Sequence, residues 1–207
     1  MRLFYIFFSF AGNTCYNESM CGRYLFSDGT NPTMERWIAQ ARQQLSEEAF
    51  RELSFHEVFP SHKVLIIIAG EDHKARLLPA FWGYPGREGK LIINARSETA
   101  FDSFFFRDSL PCVIPATGYY EWSRDPKKKY YFTVNEKPMY LAGLCRKEED
   151  GMHMVILTEA AVLKQAEIHD RQPVILSSLD IPEYCQNTNP KETIKKSIRY
   201  RNIREAE

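Results

Sequence analysis

Hydrophobic positions change their period once along the chain, early on. Met34, Trp37, Ile38, Ala41 and Leu45 recur every three or four residues behind Asn31-Pro32. An asparagine cap followed by a proline whose φ already suits the first turn predicts a helix over 32–46. Beyond it the apolar residues fall in short runs or alternate. Strands are predicted over 63–69 (KVLIIIA), 76–83, 90–95 (KLIINA), 112–122, 129–134, 138–145, 152–158 and 173–177. Short helices fit near 100–107, 160–167 and 179–186. Gly70, Pro85-Gly86, Gly89, Pro126 and Gly151 punctuate these units. Many short strands without βαβ alternation predict the α+β class: a single domain with a barrel-like, mostly antiparallel sheet and peripheral helices.

The two ends depart from this pattern. Leu3 to Phe10 is apolar apart from Ser9, follows Met1-Arg2 and precedes Ala11-Gly12. Eight residues cannot span a bilayer, which needs about 20, although the arrangement has the outline of a weak secretory signal. Asn17-Glu18-Ser19 fits a glycosylation sequon. Residues 1–19 are therefore set apart as an extension, 20–193 as the domain, and 194–207 as a basic tail. Ile194 to Arg204 holds five basic residues, and reads either as a solvated tail or as an arm that contacts phosphate.

Composition narrows the function classes. Hydrophobic residues are 44% and charged residues 26% of the 207, which excludes disordered, collagenous and coiled-coil chains. Lys+Arg and Asp+Glu are both 27, so a nucleic-acid site has to be a local patch. Aromatic residues, 14% of the chain, are enough for a core and for some exposed stacking surface. The five cysteines are an odd number with no CxxC pair, which argues against a disulfide framework or a zinc ribbon and for a reducing, cytoplasmic compartment. Cys112, Cys145 and Cys185 read as small buried hydrophobes. No metal or cofactor is expected.

Four strings place reactive groups beside glycines, prolines or aromatics: Met20-Cys21-Gly22-Arg23-Tyr24, Asn94-Ala95-Arg96-Ser97-Glu98-Thr99, Gly118-Tyr119-Tyr120-Glu121-Trp122 and Ile168-His169-Asp170-Arg171-Gln172-Pro173. Taken alone, each has a plain reading beside the chemical one. Glu121 is either a half-buried acid with a raised pKa or the outward residue of an alternating strand. His169 is either a base or a structural histidine. Asn94 either closes a strand or aims its amide at a ligand.

In this order the four strings resemble the SRAP family, named as SOS response-associated peptidases and understood as abasic-site processing proteins. Val58-Phe59-Pro60 with Lys63-Val64, Phe81-Trp82-Gly83-Tyr84 and Leu157-Thr158-Glu159-Ala160-Ala161 add to the resemblance, which runs from Met20 to about Leu176. It implies a cysteine that cross-links to the aldehyde of an abasic site in single-stranded DNA as a thiazolidine, during the DNA-damage response, in a monomer with no membrane partner. That ring needs an amine and a thiol on adjacent carbons, which an N-terminal cysteine supplies. A terminal amine titrates at about 7.7–8.0 against about 10.4 for lysine, so its neutral fraction near pH 7 is a few hundred-fold larger.

By the resemblance, Cys21 is the nucleophile, Glu121 the proton shuttle, Asn94 the group that orients the amine or the sugar hydroxyl, and His169 the helper of sugar-ring opening and of cross-link release. Arg23, Arg96 and Arg171 would hold phosphates. Thr158 would also face the DNA, and Trp122, Trp82 and Phe59-Pro60 would stack on neighbouring bases.

The chain departs from the family pattern in one chemical respect. Twenty residues precede Cys21, and an amide nitrogen cannot form an imine. Translation from Met20, a pro-segment removed by the protein's own peptidase activity, and a genuine signal over residues 1–12 are the three readings. A Pro-Val-Ser-like segment near the end is also not found. The competing functions are a cysteine peptidase using Cys21, His169 and Asn94 or Glu121, and a noncovalent single-stranded DNA-binding module.

Overall fold

The computed structural model describes residues 21–135, 138–186 and 188–206. In chain order the elements are β1 (Arg23–Leu25), α1 (Pro32–Gln44), α2 (Glu47–Arg51), β2 (Glu57–Val58), β3 (Lys63–Ala69), β4 (Ala75–Trp82), β5 (Tyr84–Pro85), β6 (Leu91–Ile92), β7 (Asn94–Arg96), β8 (Leu110–Ala116), β9 (Gly118–Trp122), β10 (Lys129–Thr133), β11 (Met139–Glu148), β12 (Gly151–Ala160), α3 (Gln165–Ile168), β13 (Arg171–Pro173), β14 (Ile175–Leu176), α4 (Ile181–Cys185), α5 (Pro190–Lys195) and β15 (Asn202–Glu205). Residues 100–102 and 104–106 form single 3-10 turns where a short helix is expected.

Strands β12, β4, β3, β8 and β11 close into a ring, because β12 pairs with both β4 and β11. The β4–β12 seam is parallel, with Met154 opposite Trp82; the other pairings in the ring are antiparallel. Both faces of these strands are covered. Ile66, Ile114 and Ile156 belong to one core cluster, whereas their neighbours Ile67, Val113 and Val155 pack with Tyr184 of α4 and Ile194 of α5 in another. Two covered faces account for runs such as KVLIIIA that do not alternate.

A second, five-stranded sheet runs β15-β10-β9-β1-β2. Its Tyr24, Tyr119 and Phe132 share the first cluster with the barrel's Ile66, Trp82 and Met154. The expected strand 112–122 is two strands, because the chain changes sheets at Thr117, whose N–H bonds to Leu25 O at 2.8 Å. Toward one end β11 and β12 splay, and residues 171–176 fill the gap: Val174 accepts from Ala142 N and donates to Leu157 O, both at 2.9 Å. This wedge carries Arg171, with His169 just before it, to the barrel rim.

Helix α1 starts where expected, with the Asn31 side chain accepting from Thr33 N and Met34 N; such a cap is worth about 1 kcal/mol. The segment from 194 onward is not a solvated tail. Ile198 N donates to Ile175 O at 2.8 Å, β15 pairs with β10, and Ile194, Ile198 and Ile203 pack against the cores. Its basic residues alternate with these isoleucines, which hold it down. Among the described residues no helix is long and apolar enough to cross a membrane. The expectations for residues 1–20 lie outside the described residues.

Candidate active site

Cys21 stands two residues before β1 with its backbone in the left-handed region, at φ 39°, a conformation with a steric cost for a residue bearing a Cβ. Arg23 pairs with Tyr120 and Tyr24 with Tyr119, which brings Cys21 to the end of β9 beside Glu121. The pleat then sorts β9. Tyr119 and Glu121 face the core, at 1% and 5% exposure, whereas Tyr120 and Trp122 face the other way. Glu121 is thus the buried acid of its two readings. Its Oε1 accepts a short hydrogen bond from the Cys21 nitrogen.

Burial pushes the Glu121 carboxyl up to about 8, although hydrogen bonds from the backbone N–H groups of Cys21 and Trp122 oppose this. At neutral pH it keeps its proton. The Cys21 thiol is fully buried, and desolvation pushes it well above its ordinary value; the Glu121 charge adds to this and a hydrogen bond from the Arg23 backbone opposes it. The sulfur is an S–H group, not a standing thiolate.

His169 ends α3, where its own N–H bonds to Gln165 O. Its Nδ1 lies 2.9 Å from Asp170 Oδ1 and 3.2 Å from the Arg171 backbone N–H. The carboxylate calls for a proton on Nδ1 and the amide for a lone pair there, so the two neighbours favour opposite tautomers. Asp170 in turn reaches Arg124, on the β9–β10 turn, at 3.4 Å. Partial burial lowers the His169 pKa, with Asp170 pulling it up and Arg124 down. The Asp170 charge also contributes to the rise at Glu121, so the two sites feel one another. Asn94 opens β7 opposite Ile156 of β12 and is half-buried.

At the rim, Arg23 is 3.2 Å from Glu57, and its guanidinium lies 4.4 Å from the Phe59 ring centre and 4.9 Å from that of Trp122. Arg96 is exposed at the end of β7. Among the described residues no group of three or more His, Cys, Asp or Glu is placed to hold a metal ion.

The match with known proteins is broad. The family model "SOS response associated peptidase (SRAP)" covers residues 20–205. The chain belongs to the SRAP family. Among curated relatives of this SRAP chain, Abasic site processing protein YedK of Escherichia coli is 30% identical over 177 residues, 76% of each chain. Abasic site processing protein YoqW of Bacillus subtilis is 33% identical over 193 residues, 84% of this chain and 82% of the relative. A protein of known crystal structure from Bacteroides thetaiotaomicron superposes with a TM-score of 0.68 at 19% identity, covering 90% of this chain and 92% of its own.

The SRAP fold corrects several of the expected DNA contacts. Trp82 cannot stack on a base: it is 0% exposed, packs on Tyr24 at 5.2 Å and donates from Nε1 to Ile93 O at 3.0 Å. Its position in the parallel seam makes it core. Pro60 is buried, leaving Phe59 as the reachable member of that pair. Thr158 is 0% exposed and turns its hydroxyl to Ala95 O at 3.3 Å. Arg171 does not stand free for phosphate. Its guanidinium is bidentate to Glu98 at 2.6 and 2.8 Å and also bonds Thr158 O at 2.6 Å, so it clamps the turn after β7 onto β12.

Sequence reasoning gave no role to Asp170 and Arg124. Asp170 sits inside a quoted string, but nothing near Arg124 signals that the two would meet. A cavity of about 420 Å³, lined among others by Ser97, Glu98, Glu159, Lys191, Lys195 and Arg199, includes none of Cys21, Asn94, Glu121 or His169. Its lysines are already paired, Lys191 with Asp102 and Lys195 with Glu192.

Proposed function

We propose that this protein captures abasic sites in single-stranded DNA as a thiazolidine, in the form whose first residue is Cys21. The observation that carries the reading is the Cys21 nitrogen held against a buried carboxyl that keeps its proton to about pH 8. The names of its YedK and YoqW relatives, abasic site processing proteins, support the choice of substrate.

The neutral Cys21 amine attacks the aldehyde carbon of the opened sugar to give a carbinolamine. Glu121 gives its proton to the departing hydroxyl, water leaves, and a C=N bond remains. Glu121, now a carboxylate, takes the thiol proton as sulfur closes onto the imine carbon, and the ring nitrogen ends as N–H. Aldehyde, amine and thiol thus become a thiazolidine and one water, with Glu121 acting once as acid and once as base. Holding the thiol as S–H is consistent with sulfur entering second.

His169 assists opening of the sugar hemiacetal, which needs a proton removed from one oxygen and one delivered to the other. The opposed pulls of Asp170 and the Arg171 N–H keep both tautomers within reach. Asn94 orients the sugar, and Arg23, Phe59, Trp122 and Arg96 receive the strand. A cysteine peptidase needs a depressed thiol pKa and a paired histidine. Here the thiol is pushed up, and among the described residues no hydrogen bond joins Cys21 to His169, which favours the lesion reading.

The experiment is incubation of an abasic oligonucleotide with the 207-residue chain, the chain beginning at Cys21, and its Cys21→Ala variant, read on a denaturing gel. A heat-stable adduct is expected with the Cys21-start chain alone. An equal adduct with the full chain or with Cys21→Ala would overturn the proposal.

A further inference from the structure

The outward face of the five-stranded sheet carries an ordered row that extends beyond Arg23 and Trp122 to residues given no role above. Arg23 pairs with Tyr120, Tyr120 with Tyr131, and Tyr131 with Arg204, so these four side chains line up across β1, β9, β10 and β15 on one face. Two residues further along the same face, Trp122 pairs with Lys129. Each cation is held over an aromatic ring: Arg23 over Phe59 and Trp122, Lys129 over Tyr120 at 4.4 Å, and Arg204 over Tyr131 at 5.0 Å.

The row is built and not incidental. Tyr120 and Tyr131 meet at 5.0 Å between ring centres, and the Tyr131 ring lies over Gly118, where a Cβ would come within 2.4 Å of ring atoms. Gly118 is therefore what lets Tyr131 lie flat, 7% exposed, as a pedestal under Arg204. Tyr120 and Trp122 stay partly open and Arg204 is exposed. Carboxylates are present but engaged: Glu57 pairs with Arg23 and Glu205 with Lys128. From Arg23 to Arg204 is three strand spacings, about 14 Å.

We propose that this face guides the single-stranded nucleic acid flanking the lesion, its cations meeting phosphates and Tyr120 and Trp122 meeting bases. The proposal rests on the DNA-binding reading above and extends it from the lesion to the strand leading away. Two observations favour a strand over an acidic protein segment. Cations pre-ordered on rings stand among the partly exposed rings of Tyr120 and Trp122, the combination that suits a polyanion carrying bases. The row also begins at Arg23 and Trp122, at the end of β1 and β9 where Cys21 meets Glu121, so a strand leaving the lesion passes round that end of the sheet onto its outward face.

The test uses the 207-residue chain and oligonucleotides bearing a tetrahydrofuran abasic analogue, which has no aldehyde, with either three or twelve nucleotides on each side. Binding is followed by fluorescence anisotropy between 50 and 200 mM salt. The wild type is expected to bind the long oligonucleotide more tightly than the short one. Lys129→Ala/Arg204→Ala should lose that gain and flatten the salt slope by about 1.4, which is about a 7-fold smaller loss of affinity over that range for two phosphate contacts on a single strand.

Lys129→Arg/Arg204→Lys should restore both, and unchanged melting temperatures would separate lost contacts from lost folding. A double alanine variant with the wild-type slope and length dependence overturns the proposal, as does polyglutamate competing as well as the long oligonucleotide. Cross-linking of the Cys21-start chain to the short oligonucleotide with a true abasic site distinguishes the two levels. If it persists while the length effect is absent, the surface is wrong and the lesion chemistry stands. If it fails while the length effect holds, the reverse applies.

Discussion

At the residue scale everything turns on how Glu121 is placed. A carboxyl on an alternating strand faces water or core according to register alone, and the pairing of Tyr24 with Tyr119 turns Glu121 inward. Desolvation then keeps it protonated where a surface glutamate is charged. Glu121→Gln keeps the shape and a hydrogen-bond partner for the Cys21 nitrogen but cannot move a proton. It should slow cross-linking by about 10²–10⁴-fold, the range typical of a lost general acid–base, with noncovalent affinity for the strand unchanged. Single-turnover gels on the Cys21-start chain measure this, and a rate within a factor of two of wild type would remove Glu121 from the proton path.

At the element scale the barrel decides which aromatic residues are available to DNA. Trp82 ends β4 at the parallel seam and fills the space between the two sheets. Trp82→Ala should therefore cost about 3–5 kcal/mol of stability in denaturant titrations. Weakened strand binding at unchanged stability would instead place Trp82 at the DNA. Length and local signal decide which elements were legible in the sequence. The helix at 32–46 and the long strands could be read because Asn31-Pro32, KVLIIIA and the runs near 138–145 and 152–158 carry strong local signals.

Strands β1 and β2, three and two residues long, are too short for any period to show, yet β1 is what delivers Cys21 to Glu121. Tyr119 and Tyr120 read alike in sequence and face opposite ways. The motif order marked Cys21, Asn94, Glu121 and His169, but motif membership did not separate Arg23, which sits at the rim, from Arg171, which is bound to Glu98. That difference comes from the bend after β7, which no local pattern encodes.

At the scale of the whole molecule, burial of Glu121 ties stability to pH. Its folded-state pKa is raised to about 8, whereas in the unfolded chain it ionises near its ordinary value of about 4.3. Between these values the folded state holds a proton that the unfolded state has released, so this group's contribution is full below the lower value and is lost as pH rises through the upper one. Melting temperatures of Glu121→Gln minus wild type should grow from about pH 4 to about pH 8, whereas a flat difference would mean that Glu121 is hydrated and ionised in the fold.

The SRAP scaffold as a whole then reads as a barrel that carries Asn94 on β7 and His169 just before β13, and a second sheet that brings Cys21 to Glu121. The measurement that tests this account most directly is the intact mass of the adduct between the Cys21-start chain and an abasic strand, with and without borohydride. The account predicts the sum of the two components less one water, the same after borohydride, with both sugar bonds on Cys21. A gain of two hydrogens on reduction, or attachment through a lysine, would show an open imine and contradict ring closure by sulfur.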